Sequence, residues 1–120
     1  YTLSITIRKE GNMKIEVIHA AFEDQAETVA EVEYVGKIDS GLEYAYRWTQ
    51  NIMDSWSMKL PQDGNDAVTV VKPLHTDDAG KQWGHRSTSV GDYMRVGGEL
   101  FRVAGMGFEN ADAIQTRQTI

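Results

Sequence analysis

Apolar and polar residues alternate along three stretches in the first third of the chain. Residues 2–8, 13–19 and 28–35 each carry an apolar side chain at nearly every second position. A period of two is typical of a β-strand that buries one face. Glu10-Gly11-Asn12 lies between the first two stretches and contains turn-forming residues, so these two stretches predict a hairpin. Residues 28–35 predict a third strand.

The spacing of apolar residues becomes helical after residue 40. The residues at intervals of three or four are Leu42, Ala45, Tyr46, Thr49, Ile52, Met53 and Trp56. They predict a long amphipathic helix over residues 41–53. Ser40 and Glu43 have the spacing of a capping box at its start. Tyr44 and Trp48 lie on an adjacent face, so the helix either packs only on the sheet or also meets a partner.

Two shorter alternating runs lie near the C-terminal end. Residues 93–96 and 100–104 flank Gly97-Gly98, and this pair tolerates the positive φ angles of a two-residue hairpin turn. Residues 68–71 predict another short strand. The polar segment 76–84 is expected to be a loop.

These elements predict an α+β fold. Five or six short strands without strand–helix alternation indicate a mainly antiparallel sheet packed on one long amphipathic helix. A chain of 120 residues is expected to form a single domain. We place that domain at residues 1–109 and expect residues 110–120 to be a frayed tail, because the pattern fades there.

Composition narrows the class of protein. The chain has no cysteine and a net charge of −6, which excludes disulfides and thiolate chemistry and makes nucleic acid an unfavoured partner. No apolar run reaches the roughly 20 residues of a membrane span. We therefore expect a cytoplasmic protein without a membrane segment, and no motif predicts a cofactor.

The polar loop at residues 84–92, here called the arginine loop, holds the main candidate site. Arg86, Ser87 and Ser89 could together bind a phosphate or carboxylate. In the alternative, the hydroxyls bond to the loop's own backbone and Asp92 fixes the turn into the next strand. The two interpretations differ in whether Arg86 faces Asp92 or solvent. Of the three tryptophans, Trp83 beside this loop is the one most expected to be exposed.

Metal binding and catalysis have weaker sequence support. His75, Asp77, Asp78 and His85 are suitable metal ligands, but no pair has a diagnostic spacing, so no metal site is predicted. The Gly-x-Ser-x-Gly motif is absent. A catalytic role would need His85, an acid and Ser87 or a neighbouring serine to converge in one pocket.

Parts of the sequence resemble a known group of proteins. The loop Arg86-Ser87-Thr88-Ser89-Val90-Gly91-Asp92, the hairpin at 97–103, the triplet Gly107-Phe108-Glu109 and the helical segment 42–51 are similar to small phage and plasmid proteins of the YodL-like group. The resemblance implies an accessory protein of a virus or mobile element. It supplies no catalytic residues.

The leading hypothesis is thus a non-enzymatic binding protein that contacts another protein or a second copy of itself. Its predicted binding residues are Trp83, His85, Arg86, Ser87, Ser89 and Asp92. The alternative is a small sheet that binds single-stranded nucleic acid. It requires Arg86, Arg95 and Arg102 to share a face with an exposed aromatic ring.

Overall fold

The computed structural model describes residues 10–52, 55–59 and 65–111. They form one α-helix, one short 3-10 helix and eight strands. The helix α1 is Ile38–Trp48 and the 3-10 helix is Trp56–Met58. The strands are β1 Glu10–His19, β2 Glu27–Lys37, β3 Val68–Val70, β4 His75–Thr76, β5 Gln82–Trp83, β6 Tyr93–Val96, β7 Glu99–Val103 and β8 Phe108–Asn110.

Six of the strands form one antiparallel sheet in the order β3-β2-β1-β6-β7-β8, and β4 pairs with β5 in a separate two-stranded sheet. The predicted α+β class with a mainly antiparallel sheet is therefore confirmed. β1 pairs with β2 on one side and with β6 on the other, so it lies in the interior of the sheet.

The alternation in β1 decides which face of the sheet is buried. Met13, Ile15 and Val17 point toward α1 and are at most 9% exposed, whereas the residues between them lie on the opposite face. Gly41 lets α1 approach this face closely, because a Cβ there would lie 2.8 Å from the sulfur of Met13. Leu42, one residue further along α1, is buried in the same core.

The helix differs from its prediction in length and start. It has 11 residues rather than the expected long span, and its N-cap is Lys37 without a side-chain hydrogen bond. The predicted capping box of Ser40 and Glu43 is wrong, because β2 runs directly into α1 and places Ser40 inside the first turn. The helix ends at Trp48 with Thr49 as its C-cap, and Ile52 is 84% exposed.

The predicted turn at Glu10-Gly11-Asn12 is also wrong. These residues begin β1, where Gly11 lies opposite Gly36 and Asn12 opposite Val35. Pairing with a partner strand 11 residues long overrides the weak turn preference of a Gly-Asn pair. The expected strand at residues 2–8 lies outside the described residues.

The C-terminal hairpin is confirmed. Val96 and Glu99 pair across Gly97 and Gly98, whose φ angles of 54° and 92° suit a type I′ turn. The sequence did not predict the strand that follows this hairpin. After β7 the chain turns at Ala104 and forms β8, which pairs with β7.

Two segments that were expected to be irregular have structure. Residues 76–84 contain strand β5 and its turn, so they are a hairpin rather than a loop. Within the segment expected to fray, Asn110 is the last residue of β8 and Ala111 is 2% exposed; residues 112–120 lie outside the described part. No helix within the described ranges is long and apolar enough to cross a membrane.

Candidate functional site

Asp92 lies at the junction between the arginine loop and the main sheet. Its carboxylate is fully buried and accepts hydrogen bonds from the backbone N–H groups of Ala20, Ala21 and Ser89 at 2.8, 2.9 and 2.8 Å. Ala20 follows β1 directly and Asp92 precedes β6. One carboxylate therefore ties the end of β1 to the start of β6 and to the loop itself.

Arg86 faces Asp92 and the interior rather than solvent. Its Nη atoms donate to both Asp92 oxygens at 2.7 Å and to the carbonyl of Ser87 at 2.9 Å. Nε and Nη2 donate to the carboxylate of Glu23 at 3.0 and 2.8 Å. These contacts use all five N–H donors of a guanidinium. The guanidinium carbon also lies 4.9 Å from the ring centre of Phe22.

The pKa values follow from this network. Burial alone would raise the pKa of Asp92, but hydrogen bonds from Arg86 and from three backbone N–H groups lower it to about 2. The hydrogen bond from Arg86 lowers the pKa of Glu23, and the hydrogen bond to Asp92 raises the pKa of Arg86. One buried carboxylate, one partly buried carboxylate and one guanidinium thus stabilise one another's charged forms.

A chain of buried hydroxyl groups lies behind the loop. Thr49 Oγ1 donates to the carbonyl of Ala45 at 2.8 Å, and a carbonyl can only accept. Thr49 therefore accepts from the hydroxyl of Thr88 at 2.8 Å, and Thr88 accepts from His19 Nε2 at 3.1 Å. This order requires the His19 proton to be on Nε2. Burial lowers the pKa of His19 to about 4, against the opposing attraction of Asp92.

The start of the arginine loop is held by the segment around the 3-10 helix. The indole N–H of the buried Trp56 donates to the carbonyl of Arg86 at 2.8 Å. The hydroxyl of Ser55 donates to the carbonyl of His85 at 2.5 Å, and the N–H of His85 donates to the hydroxyl of Ser57 at 2.7 Å. The carbonyls of His85 and Arg86 and the N–H of His85 are therefore engaged within the chain.

Gly84 provides a direct test of this attachment. A Cβ at residue 84 would lie 2.2 Å from Ser55 Cβ, so Gly84→Ala forces the two segments apart. We expect a loss of about 1–3 kcal/mol in the free energy of unfolding, measured by urea denaturation. Gly105→Ala is the matched control because a Cβ there meets nothing within 4 Å. Equal stability of the two variants would contradict the close packing.

The structure does not join His85 to a loop serine by a hydrogen bond. His85 Nε2 is 2.8 Å from the carbonyl oxygen of Lys72, and its ring packs at 5.8 Å from that of Trp56. Ser87 Oγ accepts from the N–H of Asn51 at 2.8 Å, and Ser89 Oγ donates to the carbonyl of Ser87 at 3.4 Å. The arrangement lacks the serine–histidine contact of a nucleophilic site.

Trp83 is the predicted site residue that is open to solvent. It lies in the β4–β5 hairpin, residues 75–83, here called the tryptophan hairpin, and is 51% exposed. Its indole N–H donates to Asp77 at 2.9 Å, and the ammonium of Lys81 lies 4.2 Å from its ring centre. Asp77 also accepts from the N–H groups of Ala79 and Lys81. One aspartate thereby fixes both the turn and the ring.

Of the three arginines of the nucleic-acid hypothesis, two share a sheet face and the third is engaged within the fold. Arg95 lies opposite Leu100 and Arg102 opposite Tyr93, so Arg95 and Arg102 share the sheet face away from α1. Arg102 contacts Glu109 at 3.4 Å. The donors of Arg86 are used by Asp92 and Glu23, as described above.

Sequence reasoning missed several partners of the predicted residues. Glu23 is 63 positions from Arg86, and no local pattern connects them. His19 is the last residue of the alternating stretch 13–19, and its burial follows from the alternation of β1. Its link to Thr88 depends on the tertiary fold. Asp77 could have been found as a turn residue, because aspartate often binds backbone N–H groups two positions later.

Comparison with known proteins adds no identification. No protein-family model, curated protein or solved structure matches the chain. Within residues 10–52, 55–59 and 65–111, no group of three or more histidine, aspartate or glutamate side chains could hold a metal ion. The resemblance to the YodL-like group therefore stays a prediction.

Proposed function

We propose that the protein is a non-enzymatic accessory protein of a virus or mobile element that binds another protein in the cytoplasm of its host. The resemblance of the arginine loop and its neighbours to the YodL-like group supports the origin. The absence of cysteine from the sequence supports a reducing compartment. The main support for the binding function is that Trp83 is exposed and that its ring is held by two neighbouring side chains.

Trp83 has the properties of an interface anchor. Tryptophan is enriched among the few residues that supply most of the energy of a protein interface. About half of its surface is open, and the contacts with Asp77 and Lys81 restrict its ring before any partner arrives. A ring held in place loses little conformational entropy on binding, which increases affinity.

The arginine loop connects the tryptophan hairpin to the rest of the fold. Its residues Arg86, Ser87 and Asp92 are engaged within the fold, while Gly84 joins the loop to the tryptophan hairpin. His85 also binds the carbonyl of Lys72, which lies between β3 and β4. We therefore assign partner contact to the hairpin and a supporting role to the loop.

Trp83→Ala is expected to weaken partner binding by at least about 2 kcal/mol, or roughly 30-fold, because the anchor ring is removed. The protein, immobilised at its C-terminus, is used to capture ligands from a bacterial lysate, and captured proteins are quantified by mass spectrometry. A specific partner should be retained by the wild type and lost from the variant. Circular dichroism checks that the variant is folded.

Ile52→Ala is the matched control, because it removes an exposed apolar side chain outside the tryptophan hairpin. This variant should retain the same partner. Analytical ultracentrifugation of the purified wild type and Trp83→Ala tests the version in which the partner is a second copy. If the wild type and Trp83→Ala capture the same set of proteins and have the same oligomeric state, the assignment of Trp83 is wrong.

A further inference from the structure

A small cavity lies between α1 and the turn that joins β7 to β8. We call it the Tyr46 cavity. Its volume is about 250 Å³, and its lining residues are Glu43, Tyr46, Val90, Val103, Ala104, Gly105, Gly107 and Phe108. The rings of Tyr46 and Phe108 meet edge to face with their centres 6.5 Å apart. The cavity therefore has a rigid aromatic wall.

Small residues form another part of the cavity lining. Gly105 and Gly107 belong to the turn closed by the hydrogen bond from Ala104 N–H to the carbonyl of Gly107 at 2.9 Å. A Cβ at either glycine would meet nothing within 4 Å, so the turn leaves free space here. Val90 is 49% exposed and adds a third apolar surface.

Glu43 is the only carboxylate, and the only side chain charged at neutral pH, among these lining residues. It stands one helical turn before Tyr46, on the same side of α1. It takes part in none of the ion pairs among the described residues. The cavity thus combines apolar walls with one accessible negative charge.

We propose that the Tyr46 cavity binds a single basic side chain, lysine or arginine, of a protein partner. A cavity of this size is smaller than the roughly 300–1,000 Å³ of a typical small-molecule pocket, and it suits one side chain. The methylene stem of a lysine or arginine packs well on apolar surface while its charged end remains near water. The charge complements both Glu43 and the net charge of −6.

The probes are three amides with side chains of similar length: N-acetyl-lysine amide, N-acetyl-arginine amide and N-acetyl-norleucine amide. Each is titrated into isotopically labelled protein and followed by NMR. We expect saturable chemical-shift changes at Tyr46, Val90 and Phe108 for lysine or arginine, and weaker binding for norleucine. The stronger of the two basic probes identifies the preferred side chain.

Two variants test the site. Glu43→Gln should weaken binding of the basic probe about 2- to 5-fold, as expected for a partly exposed ion pair. Val90→Trp should fill the cavity and remove saturable binding. Glu33→Gln is the control for lost negative charge, because Glu33 is exposed on β2 and lies outside the cavity; it should bind as the wild type does.

Several results would overturn the proposal. They are an absence of saturable shifts, equal binding of norleucine, or shifts that spread over the acidic surface and decrease equally in Glu33→Gln. The proposal does not depend on the tryptophan hairpin. Trp83→Ala should bind the basic probe normally, so the two binding hypotheses can fail separately.

Discussion

Arg86→Ala is expected to lower the free energy of unfolding by about 3–5 kcal/mol, because it leaves the buried carboxylate of Asp92 without its cationic partner. Asp92 is fully buried, and Arg86 donates to both of its oxygens. The same substitution leaves Glu23 and the carbonyl of Ser87 without the hydrogen bonds that Arg86 donates to them. Urea denaturation followed by tryptophan fluorescence measures the loss.

Arg102→Ala is the control for removal of an arginine from an ion pair. Arg102 contacts Glu109 at 3.4 Å with both side chains at least one-third exposed, so the expected loss is below about 1 kcal/mol. Arg86→Lys retains the charge but cannot reproduce a planar fork with five donors. It should therefore lose much of the stability too. A loss in Arg86→Ala no larger than in Arg102→Ala would contradict the role of the network.

The sequence predicted the structure well where a pattern within a few residues determines the backbone geometry. Alternation over residues 13–19 predicted the buried face of β1 because neighbouring side chains of a strand point to opposite sides. The Gly97-Gly98 pair predicted the β6–β7 hairpin because few other residues adopt two successive positive φ angles. Both predictions depend on backbone geometry within a few residues.

The sequence was less informative where the structure depends on distant pairing. Gly11 and Asn12 have turn preferences, yet the ladder with β2 makes them part of a strand. Ser40 and Glu43 have capping spacing, but the strand β2 extends to Lys37 and the helix begins immediately after it. Local preferences are small compared with the hydrogen bonds and burial gained by long strands.

The arginine loop shows why a polar motif can resemble a ligand site. Its hydroxyls, arginine and aspartate are types of residue that bind anions, but here their partners are other parts of the chain. Thr88 is 1% exposed and bonds to Thr49 and His19. Buried polar groups need such partners because each unpaired one costs about 1–3 kcal/mol. The sequence suggested Asp92 as one possible partner of Arg86, but Glu23 lies 63 positions away and no local pattern pointed to it.

His19 is expected to make the fold sensitive to mild acid. Its pKa is lowered from 6.5 to about 4 by burial, in surroundings that include Asp92, Arg86, Glu23 and His85. His19 therefore becomes protonated below about pH 6.5 in the unfolded chain, but only near pH 4 in the folded protein. This contribution to stability is complete above pH 6.5 and is lost as the pH falls toward 4. The full loss is about 3 kcal/mol, of which about 2 kcal/mol falls between pH 7 and pH 5.

His19→Gln separates this effect from the titration of carboxylates. Glutamine can donate to Thr88 but does not titrate, so the variant should lose less stability between pH 7 and pH 5 than the wild type. Asp92, with its pKa near 2, contributes to acid unfolding only below its unfolded value of 3.8 and does not affect this range. His75→Gln removes an exposed histidine and should retain the wild-type slope. If urea denaturation at pH 7, 6 and 5 gives His19→Gln the same slope as His75→Gln, buried His19 is not the acid-sensitive group.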